Sequence, residues 1–239
     1  MPKMTIAQDI IDTIASVNAF QIFLVLSMLV CWTVVYLTII IRNHKDKLAV
    51  MPWLALSMNI SWEFVYTFVI PYPDPKYRLG ILFWVLLDGV MFVQTLKYSK
   101  EDYNKILPGM EKYYYPVMIG IFLAFFAAVF STNYQWTTLP DPAGHSAYIM
   151  NLMMSFLFIT QIFRRPDTIK GISIWVAICK FWGSLAPTIL GMIYLPGYYP
   201  FPYTLGIITA ILDVIYIVLV YKHFKKLGYN PWNRKQIAA

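Results

Sequence analysis

The sequence predicts an all-α integral membrane protein, a bundle of seven transmembrane helices with the N-terminus outside and the C-terminus in the cytosol. Three observations carry this expectation. Of 239 residues, 59% are hydrophobic and only 13% charged, against roughly 25% charged in soluble domains. Seven apolar stretches approach the ~20 residues that span a hydrocarbon core. Basic residues gather in alternate connections between those stretches.

Taken in order, residues 1–18 read as an interfacial segment, because Ile6, Ile10, Ile14 and Val17 recur at helical spacing beside Asp9 and Asp12. The first span, 19–41, is longer than a signal-peptide core. Acids rather than a basic region precede it, and no small-residue cleavage pattern follows, so it is read as a retained helix. Spans at 50–70, 79–98, 113–131, 144–163, 171–194 and 202–222 follow, separated by short connections, and 223–239 is a basic cytosolic tail. No internal repeat, low-complexity stretch or long linker divides the chain, which is read as one domain, 1–239.

Orientation comes from the loops. Fifteen Lys and Arg fall in the connections after spans one, three and five and in the tail, against Lys3, Lys76 and Arg78 on the opposite side. The positive-inside rule places the fifteen in the cytosol. The net charge of +7 is therefore an orientation signal and not a nucleic-acid footprint. Tyr113 to Tyr115 at one interface, and Tyr134, Trp136, Tyr198, Tyr199 and Tyr203 at the other, read as aromatic belts. Cys31 and Cys179 lie inside apolar segments with neither metal-ligand nor disulfide spacing. Gly-rich phosphate loops, metal-ligand clusters, Ser-His-Asp arrangements and D-D-x-x-D motifs are absent from the sequence.

With so little chain outside the spans, chemistry must sit inside the bundle. A charge at bilayer centre costs at least about 2.5–3.5 kcal/mol on insertion scales, so such residues usually face the interior and serve a function. Four occur here: Glu63, Asp88, Lys180 and Asp213, on spans two, three, six and seven, some seven to twelve residues from a span end. Their depths overlap, and one cavity holding all four would lower their desolvation cost. Lys180 pairing with Asp88 or Asp213 as a simple helix lock is the structural alternative. That pairing still leaves an acid without a countercharge, and burial favours the neutral form of such an acid. A neutral carboxyl poised to donate is a general acid.

The neighbourhood of Glu63 is distinctive. Asn59, Trp62, Glu63 and Tyr66 are spaced i, i+3, i+4, i+7, so one helix face carries an amide, an indole, a carboxyl and a phenol. Trp84, Asp88 and Thr95 on span three, Asn151, Ser155 and Phe158 on span five, and Thr209, Asp213 and Tyr216 on span seven repeat the theme. These faces predict a cavity with acids at one level and aromatic walls. Pro187 is placed to kink span six and widen it, while His44, His145 and His223 read as interfacial or loop residues.

The N-x-x-W-E-x-x-Y stripe on a second span, an aspartate in the middle of the last span, and seven spans in a chain of this length resemble the membrane-bound terpene cyclases of fungal meroterpenoid and indole-diterpene pathways and their bacterial relatives. The specific part of the resemblance is Asn59, Trp62, Glu63, Phe64, Tyr66 and Asp213. It implies that Glu63 protonates an epoxide or terminal alkene of a farnesyl or geranylgeranyl chain on an aromatic or indole head, starting cyclisation, with Asp213 orienting or reprotonating it. Such chemistry needs a dry acid, an apolar mould and π-faces for a travelling cation. Trp62, Trp84, Tyr66, Trp182 and Tyr216 are the candidate walls, and Asn59, Asp88, Asn151 and Lys180 the candidate polar contacts. No cofactor or metal is implied. The substrate would be a lipophilic prenylated molecule entering from the bilayer, in the endoplasmic reticulum of a fungus or the plasma membrane of a bacterium. Lys180 is not explained by the resemblance.

Two other classes fit mid-membrane acids. A proton-coupled transporter or channel would use them as a relay, although no Gly/Pro-broken pair of helices recurs in two halves. A retinal-type photoreceptor would need a lysine in the last span, where this chain has none.

Overall fold

The computed structural model describes residues 18–72, 75–135, 141–194 and 200–233. The expected interfacial helix, Lys3, Trp136, Tyr198, Tyr199 and residues 234–239 lie outside them. Helix α1 (Ala19–Asp46) opens on a capping box in which Asn18 accepts from the Gln21 amide and the Gln21 side chain from the Asn18 amide. It closes at Lys47, held in the left-handed region (φ 55°). The Val50 amide then donates to Asn43 Oδ1 at 2.8 Å, turning the chain into the next helix.

Helix α2 (Trp53–Phe64) departs from the expected continuous span. After Phe64 the ladder widens to a π-helical segment, Val65–Val69, ending where the Ile70 amide reaches Val65 O and the Tyr72 amide reaches Tyr66 O. β-branched Val65, Thr67 and Val69 are poor formers of the tighter α-helical turn, and π-turns of this kind concentrate at functional sites. Glu63 sits two residues before the change. Helices α3 (Pro75–Tyr98), α4 (Lys100–Ile106), α5 (Tyr114–Gln135), α6 (Pro142–Phe163), α7 (Ile174–Tyr194) and α8 (Pro200–Lys226) complete the order. Short α4 and the 3₁₀ turn Glu111–Tyr113 were not expected. Among the described residues, six helices are long and apolar enough to cross a membrane: α1, α3, α5, α6, α7 and α8.

Packing partners trace a closed ring, α1 on α7, α7 on α8, α8 on α6, α6 on α2, α2 on α3 and α3 on α1, with α5 outside it against α2. Helix α2 is consequently buried nearly all round, while α5 faces outward along almost its whole length. Close approach of α7 to α8 depends on Gly206, where a Cβ would lie 2.4 Å from Thr188 Oγ1.

Two belt assignments change. Tyr114 is fully buried and donates to the carbonyls of Leu96 (2.8 Å) and Thr95, because α3 and α5 converge there. Tyr203 packs against Gly191 and is also buried. Tyr113 and Tyr115 are exposed as expected.

Candidate active site

A cavity of about 230 Å³ opens inside the ring, bounded by α1, α2, α3, α6 and α7. One wall is polar. Tyr36 on α1 donates its hydroxyl to Glu63 Oε1 in a very short hydrogen bond. Asn59 Nδ2 lies 2.6 Å from Tyr36 Oη, 3.1 Å from Glu63 Oε1 and 2.8 Å from Asp88 Oδ2. Two amide hydrogens thus serve three acceptors, so one is shared. Asn59 stands one turn before Glu63 on α2, and Asp88 reaches it from α3, so three helices converge on one amide. Glu63 (2% exposed) and Asp88 (0%) are buried. Glu63 Oε2 and Asp88 Oδ1 have no hydrogen-bond partner among the described residues, and an unmatched buried carboxyl oxygen is costly unless it has work to do.

The other walls are aromatic. Trp84 stacks on Tyr36 with centroids 6.2 Å apart and planes 9° from parallel, and Trp32 packs on the same ring at 6.2 Å. Trp62 is fixed by its indole N–H, which donates to Ser146 Oγ and Ala143 O. Trp32 donates to Gly183 O at 3.1 Å. Glycine is required there, since a Cβ on residue 183 would lie 2.9 Å from the Trp32 indole nitrogen. Asn151 and Ser184 face each other across the far side, 3.4 Å apart.

The four ionisable residues do not meet in one cavity. They form two clusters, because Lys180 is fully engaged elsewhere. Its ammonium contacts Asp213 Oδ1 at 2.7 Å, Asp213 Oδ2 at 2.9 Å and Ser155 Oγ at 2.6 Å, which accounts for all three of its N–H donors. Ser155 also donates to Asp213 Oδ1 at 2.8 Å. Lys180 and Asp213 are both 0% exposed, and this cluster ties α6, α7 and α8 together. Lys180 is one turn from Ser184 and Ser155 one turn from Asn151, so the ion pair lies directly beneath the cavity floor without lining it. Glu63 and Asp88 share Asn59 and have no cation in their cluster among the described residues.

A family model, the Pyr4-like transmembrane terpene cyclases, matches residues 12–226. The chain belongs to this family. It is 22% identical over 205 residues to terpene cyclase pyr4 of Aspergillus fumigatus, covering 80% of this chain and 81% of that one. With terpene cyclase adrI of Penicillium rubens it shares 26% over 234 residues, covering 92% and 90%. With terpene cyclase trt1 of Aspergillus terreus it shares 27% over 114 residues, covering 48% of this chain and 55% of that relative, about half of its length. No solved structure matches.

Within this member of the Pyr4-like cyclase family, Asn59, Trp62, Glu63, Trp84 and Asn151 line the cavity, and Asp88 contacts Asn59 behind it. Three expected wall residues do not line it. Tyr66 packs behind Trp62 at 4.9 Å. Trp182 turns away, donating to Ser27 Oγ at 2.9 Å and packing on Phe23. Tyr216 stacks on Phe158 at 5.4 Å, away from the cavity. Sequence reasoning missed Trp32, Tyr36, Tyr77 and Tyr148. The signal for the first two was available: Met28, Trp32 and Tyr36 repeat at four-residue spacing along span one, and all three line the cavity.

Proposed function

We propose that this chain is an integral-membrane terpene cyclase in which Glu63 protonates an epoxide or terminal alkene of a prenylated aromatic or indole substrate. The observation that carries the reading is the asymmetric state of the Glu63 carboxyl. Oε1 is held by Tyr36 and Asn59, Oε2 meets no N–H or hydroxyl donor among the described residues and is left to the neighbouring Asp88 carboxyl, and the group stands on the wall of an aromatic-lined cavity. Two carboxyls sharing one amide in a cluster without a cation among the described residues retain at least one proton between them, and Glu63, the one of the two that lines the cavity, is placed to deliver it.

On an epoxide, the Glu63 carboxyl proton moves to the ring oxygen as the C–O bond to the more substituted carbon breaks. The adjacent alkene π-bond attacks that carbon and the cation travels along the chain. Loss of a proton from the last cation restores the proton count, so the product is an isomer of the substrate. Tyr36 and Asn59 donate to Oε1 and so stabilise the carboxylate that the transfer leaves behind. The faces of Trp32, Trp62 and Trp84 stabilise the passing positive charge, a contact worth about 2 kcal/mol or more when desolvated. Asp213 takes an orienting part: with both oxygens on Lys180 it holds α6, α7 and α8 where Asn151 and Ser184 meet the cavity. With its ammonium so engaged, Lys180 gives no support to a Schiff-base pigment.

In this reading α2 with its π-helical extension is a seventh span, shielded by its neighbours, and the basic loops face the cytosol. A Lys45→Cys variant, at the exposed end of α1, is expected to resist an impermeant thiol reagent added to sealed cells; labelling from outside would reverse the orientation.

The direct test is to express the chain in membranes, supply epoxyfarnesyl and farnesyl aromatic or indole substrates in parallel, and search by mass spectrometry for a product of unchanged mass and shifted retention. Absence of an isomer from every prenyl substrate, together with pH-gradient-driven flux in proteoliposomes, would replace the cyclase with a proton transporter. Tyr36→Phe is expected to lower kcat about ten- to a hundredfold with KM nearly unchanged, as for loss of one hydrogen bond to a charge formed in the transition state. An equal rise in KM with constant kcat would make Tyr36 a binding residue only.

A further inference from the structure

A second cavity, of about 500 Å³, lies at the basic end of the bundle between the start of α2, α4, the start of α5 and the last turns of α6. Cyclisation at Glu63 makes no use of it. Its polar side is built for an anion. Pro52, the N-cap of α2, offers no side-chain hydrogen bond, no acid sits in the first turn, and the first ladder bond is Leu56 N–H to Pro52 O. The amides of Trp53, Leu54 and Ala55 therefore have no acceptor within the helix, and the positive end of the α2 dipole is uncompensated. Lys105 and Arg164 stand at the same mouth, exposed and without an ion-pair partner among the described residues. The acid at this mouth, Asp102, is already answered by Arg165 at 2.7 Å.

Its remaining surfaces suit the rest of an amphiphile. Leu54 and Val117 are exposed, and Val117 and Ile121, four residues apart, continue an apolar track along the outward-facing helix α5. Gln161, 8% exposed, lines the cavity between anion end and track. Its amide nitrogen donates to Ala49 O at 2.9 Å, whereas its Oε1 accepts from no donor among the described residues. A buried acceptor left open between cations and an apolar groove calls for a hydroxyl donor.

We infer that this groove binds an anionic glycerophospholipid whose headgroup carries hydroxyls, with its phosphate between the α2 N-terminus, Lys105 and Arg164, a headgroup hydroxyl on Gln161 and its acyl chains along α5. A lipid is favoured over a free anion because the track past Leu54 and Val117 continues along a helix whose apolar surface faces outward. Basic pockets between membrane helices recognise headgroups in this way.

The test uses the purified, delipidated full chain and native mass spectrometry, titrated separately with phosphatidylglycerol and with phosphatidylcholine of the same acyl chains. Phosphatidylglycerol is expected to form a one-to-one adduct at markedly lower concentration. The double variant Lys105→Gln with Arg164→Gln is expected to weaken that adduct roughly thirtyfold, from about one unit of headgroup attraction per cation. A charge-matched control, Lys222→Gln with Lys226→Gln on exposed positions of α8, is expected to leave it unchanged. Equal binding of the two lipids, an unaltered adduct in the Lys105/Arg164 variant, or an equal loss in the control would overturn the inference. Displacement of the lipid by inorganic phosphate alone would also overturn it, showing an anion site without lipid recognition.

Discussion

Glu63→Gln is expected to abolish product formation, lowering turnover by about 10²–10⁴, the usual contribution of a positioned general acid. Glutamine keeps the shape of the side chain and an Oε1 that still accepts from Tyr36 and Asn59. It loses the transferable proton that the Glu63 and Asp88 carboxyls hold between them in the wild type. The new amide N–H group has the Asp88 carboxyl as an acceptor for one hydrogen, and leaving the other buried without a partner costs about 1–3 kcal/mol. Folding is therefore followed alongside turnover, by thermal unfolding of the detergent-solubilised protein. A folded variant that binds substrate and forms no isomer assigns the proton to Glu63. A variant with full turnover moves the donor elsewhere, and Asp88, which shares the Asn59 amide, is the next candidate.

Much of this architecture is legible in the chain because membrane insertion imposes a coarse constraint. A run of apolar residues near the thickness of the hydrocarbon core becomes a helix whatever its packing, and α1, α3, α5, α6, α7 and α8 follow the expected runs to within a few residues. Buried ionisable groups are equally plain, since few other roles would justify their cost. What the chain shows less plainly is rotation. Gly183 lines the cavity while Trp182, one residue and about 100° away, faces Ser27 outside it. Here the stripe Lys180, Ser184 and Thr188 at four-residue spacing, with Gly183 and Pro187 beside it, does mark the inward face of α7, and Trp182 lies off that stripe. Tyr36 shares one face of span one with Met28 and Trp32, but on a span without charges such a stripe also reads as an anchor, and the packing of α1 between α3 and α7 decides that it faces inward. The change to a π-helix after Phe64 also depends on neighbours, because local propensity does not specify where a ladder widens. The meeting of all four ionisable groups failed on stoichiometry: one ammonium has three donors, and Asp213 with Ser155 occupies them all.

That stoichiometry leads to the second large effect. Lys180→Met is expected to destabilise the protein by about 3–5 kcal/mol, because it leaves the Asp213 carboxylate buried with only Ser155 to satisfy it. Asp213→Leu alone strands the ammonium and is expected to cost a similar amount. The double variant removes both charges, and replacing a buried ion pair with apolar residues of similar volume is often neutral or stabilising by about 1–4 kcal/mol, so its unfolding temperature is expected to return close to that of the wild type. Its turnover distinguishes the two roles open to Asp213. If Asp213 orients the floor beneath Asn151 and Ser184 through Lys180, restoring the packing of α6, α7 and α8 restores product as well, and this is the outcome the geometry favours. If Asp213 returns protons to Glu63, the double variant folds and stays inactive, since no leucine can carry a proton. Stability that fails to recover in the double variant would show instead that the pair specifies the arrangement of these helices through directed hydrogen bonds that apolar packing cannot replace.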